Sequence, residues 1–341
     1  MNSRATQSDV AREAGVARSV VSLVLNGKAG TTRVSPETAA RVKAAAKRLG
    51  YRPDRVAQNL RLGRTYQIGI LHGDGFPRIR FTSPYFSTLM DAIVDRAFEH
   101  GFTVALCPQL HSATPEDAMA DGRFDGLLWY STTGSPANMK RLRDCSVPIV
   151  MIHTRASDYD VPCAAVACDN ESGIRQAINH LVELGHRSIA YVITIADLFG
   201  EAVDRRATFQ KYGEELGLTL CQVVLSGYDA DLPADFRKDG SITAVIGFND
   251  EVADLVVRQL RARGVDVPGD VSVIGFDSTP LCEVTRPTLT SVSQSLSEIG
   301  TTAVDLLIDS IDGRLELPYD HVVECRLDVR ESTGPPRAQA D

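Results

Sequence analysis

The chain has 341 residues, 43% hydrophobic and 23% charged, which excludes general disorder and leaves room for more than one domain. No run approaches the roughly 18 apolar residues of a membrane-spanning helix, and the opening MNSRATQSD lacks the apolar core of a secretory signal, so a cytoplasmic location without a membrane partner is expected. Charge is uneven: residues 1–64 hold 13 Lys+Arg against 4 Asp+Glu, whereas the whole chain is net −8.

A cationic head on an anionic body points to polyanion binding by the head and a different task for the body. The seven cysteines form no C-x-x-C pair, so reduced and mostly buried thiols are expected, with neither a disulfide framework nor a zinc site.

In chain order, Thr6 and Asp9 have capping-box spacing, and Val10, Ala11 and Ala14 give a first helix its apolar face. Gly15 ends it. Val20, Val21, Val24 and Leu25 form the inward stripe of a second helix, with Arg18, Ser19, Ser22 and Leu23 off or beside that stripe. Ser35-Pro36-Glu37 opens a third helix, packed by Val42, Ala45, Ala46 and Leu49 and stopped at Gly50. Three short helices with a tight first turn make a helix-turn-helix unit. A helix of this kind enters the major groove N-terminus first. Arg can pair with guanine through two hydrogen bonds and Ser can donate or accept, so Arg18 and Ser19 are the candidates for base readout. Arg41, Lys43, Lys47, Arg48 and Arg52 neutralise phosphates or stay in solvent.

Between Pro53 and Gly63 the pattern allows a helix of only about two turns, too short to be stable alone. Leu60 then either packs on its own domain or, paired across two copies, wedges into a minor-groove base step.

From Gln67 onward short apolar runs alternate with helical stretches. The runs are 68–71, 103–106, 126–129, 148–152, 188–193, 243–247 and 271–276, and the helical stretches 86–99, 171–184, 204–216, 251–263 and 297–312. This alternation predicts parallel sheets covered on both faces, with ligands received beyond the carboxyl ends of the strands. Residues near strand ends or helix starts are therefore the candidates: Ser83, Tyr85, Phe86, Ser131, His153, Arg155, Arg205, Asn249 and Asp277. Asp, Asn and Arg give paired hydrogen bonds to hydroxyls, and an aromatic face suits a ring. Asp250 reads as a helix cap, and His153 as either a ligand contact or cleft wall.

No catalytic or cofactor signature competes. Gly27-Lys-Ala-Gly-Thr-Thr lacks the first glycine of a phosphate loop, and Gly73-x-Gly75 lacks the third glycine of a dinucleotide fingerprint. There is no G-x-S-x-G or H-E-x-x-H, and His111, His180, His186 and His321 have no metal-ligand spacing. No enzyme activity, cofactor or metal is expected.

Ordered motifs run nearly end to end: DVAREAGV from Asp9, VSLVLNG from Val21, VSPET from Val34, RLGYRP from Arg48, VAQNL from Val56, Gly69-Ile, DGLL from Asp125, Asp169-Asn, LGHR from Leu184, NDEVA from Asn249, VSVIGFD from Val271 and REST from Arg330. On these the chain resembles the lactose-repressor (LacI/GalR) family of bacterial transcription regulators. The resemblance implies an α-helical DNA-binding headpiece with a hinge helix, joined to a two-lobed α/β domain of the type I periplasmic-binding-protein kind. By it, the helix-turn-helix domain spans 1–52, the hinge 53–65, and the effector and dimerisation domain 66–335, with a disordered tail 336–341. Lobe one covers about 66–165 and 296–320, and lobe two about 166–295 and 321–335. The implied DNA contacts add Thr6, Ser22, Asn26, Arg55, Ala57 and a wedging Leu60 to Arg18 and Ser19. The implied effector contacts centre on Arg205, Asn249 and Asp277, with Tyr85, Phe86 and Phe248 nearby. Ala17, Leu23 and Asp54 depart from frequent Ser/Thr, Arg and Asn, and the loop 28–33 is longer than usual.

The expectation is thus a homodimeric, allosteric repressor that binds a pseudo-palindromic operator and responds to a sugar or sugar derivative. A purine or nucleoside effector is the alternative, and a solute-binding protein the rival from another class.

Overall fold

The computed structural model describes residues 5–26, 34–52, 63–72, 82–107, 122–130, 136–159, 161–195, 198, 200–236 and 240–337. The chain divides into two compact units, residues 1–65 and 66–341.

The first unit holds α1 (Gln7–Ala14), α2 (Arg18–Asn26) and α3 (Pro36–Arg48). The capping box expected at α1 is formed: Thr6 Oγ1 accepts the Asp9 N–H at 3.3 Å, and Asp9 Oδ2 accepts the Thr6 N–H at 2.9 Å. Gly15 closes the helix at φ 63°, a left-handed conformation that a residue with a Cβ adopts only with strain. Ser35 caps α3 by accepting from Thr38 N–H, with Pro36 at the first helical position. Val10, Ala11, Ala14, Val21, Val42, Ala45 and Ala46 form the core. Leu49 does not join it and is 37% exposed. It is the C-cap residue, where the helix unwinds toward Gly50, and Tyr51 packs on the core instead. Arg48 is not a free cation, because its Nη2 lies 3.0 Å from Glu13 Oε1 and ties α3 to α1.

The second unit runs β1 (Gln67–His72), α4 (Pro84–Glu99), β2 (Thr103–Cys107), β3 (Gly126–Tyr130), α5 (Pro136–Asp144), β4 (Ile149–Ile152), β5 (Ala164–Cys168), α6 (Asn170–Glu183), β6 (Ser188–Thr194), α7 (Glu201–Glu215), β7 (Thr219–Leu225), β8 (Ala244–Gly247), α8 (Asp250–Ala262), β9 (Ser272–Asp277), α9 (Leu281–Val284), β10 (Thr290–Ser293), α10 (Leu296–Ile311), β11 (Tyr319–Val323) and β12 (Arg326–Asp328). Two six-stranded sheets result, ordered β11-β5-β4-β3-β1-β2 and β12-β10-β9-β8-β6-β7. The first is wholly parallel, and the second is parallel except for β12 against β10. Strands such as Ile149–Ile152 and Ser272–Asp277 are buried at every position, as helices on both faces require.

Each sheet with its helices is one lobe, and the chain crosses between lobes after β5, β10 and β11. The largest buried cluster runs without a break from Ile68, Leu89 and Ile93 in the first lobe to Tyr191, Phe209 and Phe276 in the second. His153, just past the carboxyl end of β4, lies 3.1 Å from Glu201 of the second lobe, so this strand end faces the space between the lobes.

Candidate functional site

In the second lobe, α7 starts at Glu201 after Gly200, whose φ of 54° permits the turn. One helical turn later comes Arg205, its side chain only 3% exposed. Arg205 Nε donates to Asn170 Oδ1 at 2.6 Å and Nη1 to the Phe248 carbonyl at 3.2 Å. Its Nη2 donates to Glu201 Oε2 at 3.3 Å, and its Nη1 is 3.8 Å from Asp277 Oδ1. The guanidinium also lies 3.6 Å from the Phe276 ring centroid, a cation–π contact in a desolvated setting. Side chains of α6, α7 and β9 and the carbonyl just after β8 thus converge on one buried cation.

Glu201 is the second centre. Its Oε1 accepts from Asn170 Nδ2 at 3.1 Å, and its Oε2 stands 3.1 Å from His153 Nδ1 of the first lobe. Burial alone would raise this carboxyl, but His153, Arg205 and the Asn170 amide outweigh it and hold it at about 2. Tyr85, near the start of α4, bonds His153 Nε2 through its hydroxyl. Burial, with Tyr130 and Glu201 adding repulsion, keeps that phenol protonated well above the ordinary tyrosine value. Tyr130 at the end of β3 stacks edge-on to His153 at 6.0 Å and to Phe86 at 5.8 Å. The first lobe therefore presents an aromatic wall with one imidazole, and the second a carboxylate–guanidinium pair.

Asp277 ends β9 at φ 113° and is 6% exposed. Burial, reinforced by Asp250 and Glu201, pushes its carboxyl well up despite Arg205. Gln294 Nε2 donates to its Oδ1 at 2.5 Å. His153, Asp277, Ser278 and Ser295 are all non-glycine residues at positive φ, gathered at strand ends and at the crossover after β10. Such conformations cluster where function constrains the backbone.

Two sequence expectations change here. Asp250 is not the cap of α8. The cap is Asn249, whose Oδ1 accepts the Val252 N–H at 2.9 Å, while its Nδ2 donates to Tyr228 Oη at 3.0 Å. Asp250, 1% exposed, instead turns inward and accepts from the Thr279 N–H at 2.7 Å, from Thr279 Oγ1 at 2.8 Å and from Ser291 Oγ at 2.5 Å. Gly275 makes this possible, since a Cβ there would collide with Asp250 Oδ1. Arg155 is exposed and stands apart from the buried set, its charge acting on Asp204 of α7.

Of the other candidates, Phe86 is buried beneath Tyr130, and Phe248 supplies both its carbonyl and a ring 5.1 Å from the Arg205 guanidinium. Ser83 precedes α4 without capping it and donates to Glu251 Oε2 at 3.2 Å, a bond between lobes. Ser131 lies outside the described residues. Glu201, Asn170, Tyr130, Tyr228 and Gln294 were not singled out from the sequence. Glu201 had one usable signal, an acid four residues before Arg205 on the same helix.

In the first unit, Arg18 opens α2 and is exposed, its Nε donating to Gln7 Oε1 at 3.3 Å, and Ser19 is exposed beside it. Ser22 is half-buried one turn on, and Asn26 closes the helix. The Thr6 hydroxyl is engaged with Asp9. Arg55, Ala57 and Leu60 lie outside the described residues. Among the described residues no grouping of His, Cys, Asp or Glu could hold a metal ion, and no helix is long and apolar enough to cross a membrane.

Comparison with known proteins agrees with both units. Residues 6–54 match the family of bacterial regulatory proteins, lacI family, and residues 178–333 match the periplasmic binding protein-like domain. The chain is 30% identical over 346 residues to the HTH-type transcriptional regulator DegA of Bacillus subtilis, covering 97% of this chain and 99% of that one. It is 31% identical to the HTH-type transcriptional regulator CelR of Thermobifida fusca, covering 96% and 98%. Among solved structures, the lac repressor dimer bound to operator and the anti-inducer ONPF superposes with a TM-score of 0.80 at 25% identity, covering 97% and 100%. A transcriptional regulator CelR–cellobiose complex gives a TM-score of 0.68 at 30% identity, covering 96% and 100%. The chain belongs to the LacI family of bacterial regulatory proteins.

Proposed function

We propose that the protein is a cytoplasmic transcriptional repressor that binds operator DNA through residues 1–52 and is controlled by a small polyhydroxylated molecule held between the lobes of residues 66–335. The observation that carries this reading is the convergence of Tyr85 and His153 from one lobe with Glu201, Arg205 and Asp277 from the other. Ligand there touches both lobes, so it favours one lobe arrangement over another in proportion to its differential affinity. A homodimer with two-fold symmetry presents two heads to two half-sites, in keeping with the operator-bound dimer of the lac repressor. Residues 53–65 act as the hinge, with Leu60 inserted into the minor groove.

A sugar or sugar derivative fits the carboxylate, guanidinium and aromatic wall, and cellobiose occupies the CelR complex. The rings of Tyr85 and Tyr130, tilted to one another with centroids 6.3 Å apart, keep a purine or nucleoside as the second reading. A solute-binding protein for uptake has no use for the basic head. A gel-shift titration with the DNA upstream of the gene tests the reading. Salt-sensitive, sequence-selective binding that changes with ligand supports it, and equal affinity for unrelated DNA overturns it.

A further inference from the structure

We propose that Glu201 makes the cleft reject anionic effectors, so that the protein responds to an uncharged or amine-bearing polyhydroxylated molecule and not to a phosphorylated or acidic one. The inference rests on the cleft being the effector site, and it assigns that site a charge preference.

Arg205 is the cation an anionic ligand would need, and three of its five N–H donors are already bonded within the protein. Its Nε is taken by Asn170, one Nη1 donor by the Phe248 carbonyl, and one Nη2 donor by Glu201. The remaining Nη1 edge faces Asp277 Oδ1 at 3.8 Å, and Phe276 lies against the guanidinium at 3.6 Å from the ring centroid. Phosphate and carboxylate recognition by arginine depends on two parallel donors of one fork, and here the Glu201 carboxylate and the Asp277 carboxyl stand beside its two Nη groups. His153 offers no substitute, because its Nδ1 faces Glu201 and its Nε2 is bonded to Tyr85.

An incoming anion would also meet the Glu201 charge in a space that is largely closed to water, since that side chain is 12% exposed. Like charges brought together across a desolvated contact repel strongly. Hydroxyl or ammonium donors find the opposite situation. The Glu201 and Asp277 oxygens accept, and Gln294 Oε1 is buried with no hydrogen-bond partner among the described residues. Glu201 is held ionised by its neighbours at any pH above about 2, so the exclusion operates throughout the physiological range.

The experiment compares the full-length protein with its E201Q and E201D variants. Calorimetry and thermal shift are run with glucose, glucosamine, glucose 6-phosphate, gluconate, ribose, ribose 5-phosphate and inorganic phosphate. The wild type and E201D are expected to bind none of the four anions, while E201Q, isosteric and uncharged, gains affinity for at least one by roughly tenfold or more. Wild-type protein that binds a sugar phosphate more tightly than its parent sugar overturns the proposal, whatever the variants do. An E201Q protein that unfolds cooperatively yet gains no anion binding overturns it equally. Operator binding is measured separately, so failure of the regulator reading appears as lost DNA selectivity and leaves the charge preference readable.

Discussion

His153 Nδ1 and Glu201 Oε2 stand 3.1 Å apart, although they belong to opposite lobes. His153 follows β4 of the first sheet and Glu201 opens α7 over the second. With Tyr85 behind the imidazole and Arg205 behind the carboxylate, a continuous polar chain crosses the cleft. A ligand entering there must replace part of that chain with its own contacts, and this makes its binding and the lobe arrangement one equilibrium.

Arg205→Ala removes the cation that compensates buried Glu201. Breaking a buried pair from one side costs about 3–5 kcal/mol, and urea unfolding of the variant should register a loss of that order. Arg205→Lys should recover little, because a single ammonium cannot reach Asn170, Phe248 and Glu201 together. Wild-type stability in the alanine variant would show that the cluster is not compensated as described.

Acid should weaken the protein through Glu201. Its carboxyl sits at about 2 when folded against an ordinary value of 4.5. A depressed folded value contributes stability that is complete above the unfolded value and is lost as pH falls between the two. Asp277, raised by burial, acts in the opposite sense and costs stability as pH rises. Melting temperatures of wild type and Glu201→Gln should therefore differ most above about pH 4.5 and converge as pH falls from there toward about 2. A gap that stays constant down to about pH 3 contradicts the assignment.

Gly275→Ala places a methyl group against Asp250 Oδ1 and Leu289. Asp250 cannot retreat without releasing Thr279 and Ser291. Overpacking of this kind costs about 1–3 kcal/mol, readable as a lower denaturation midpoint. An unchanged midpoint would mean that Asp250 has room to move.

Much of this was legible in the sequence. The head was readable because its signals are local: Thr6 with Asp9, Gly15, and Ser35-Pro36 each fix a helix end through neighbours in the chain. Strands with branched residues, such as Ile149–Ile152 and Ser272–Asp277, were readable too. The segment Ala164–Cys168 was not, since alanines carry little strand preference, and it is a strand only because both its faces are covered. The short β10, β11 and β12 owe their structure to partners far along the chain. Within the cleft, Arg205 and Asp277 announced themselves by residue type and place. Glu201 did not, because its meaning comes from His153, 48 residues away and on the other sheet.

Arg18→Ala should relax base preference at one operator position and cost about 1–3 kcal/mol on the cognate site. Arg18 is exposed at the N-terminus of α2 and bonded to Gln7, and an arginine can pair with guanine through two hydrogen bonds in the major groove. Selection of preferred sequences from a randomised pool checks this, and an unchanged preference counts against it.

In the proposed function, the cleft around Arg205 governs the DNA affinity of the head. Fluorescence anisotropy of labelled operator, titrated with full-length protein with and without a ligand that raises its melting temperature, tests it most directly. Ligand should change wild-type affinity by roughly tenfold or more and leave unchanged that of Asp277→Ala or Arg205→Ala protein that still binds the operator. A ligand effect of equal size in all three proteins would contradict it.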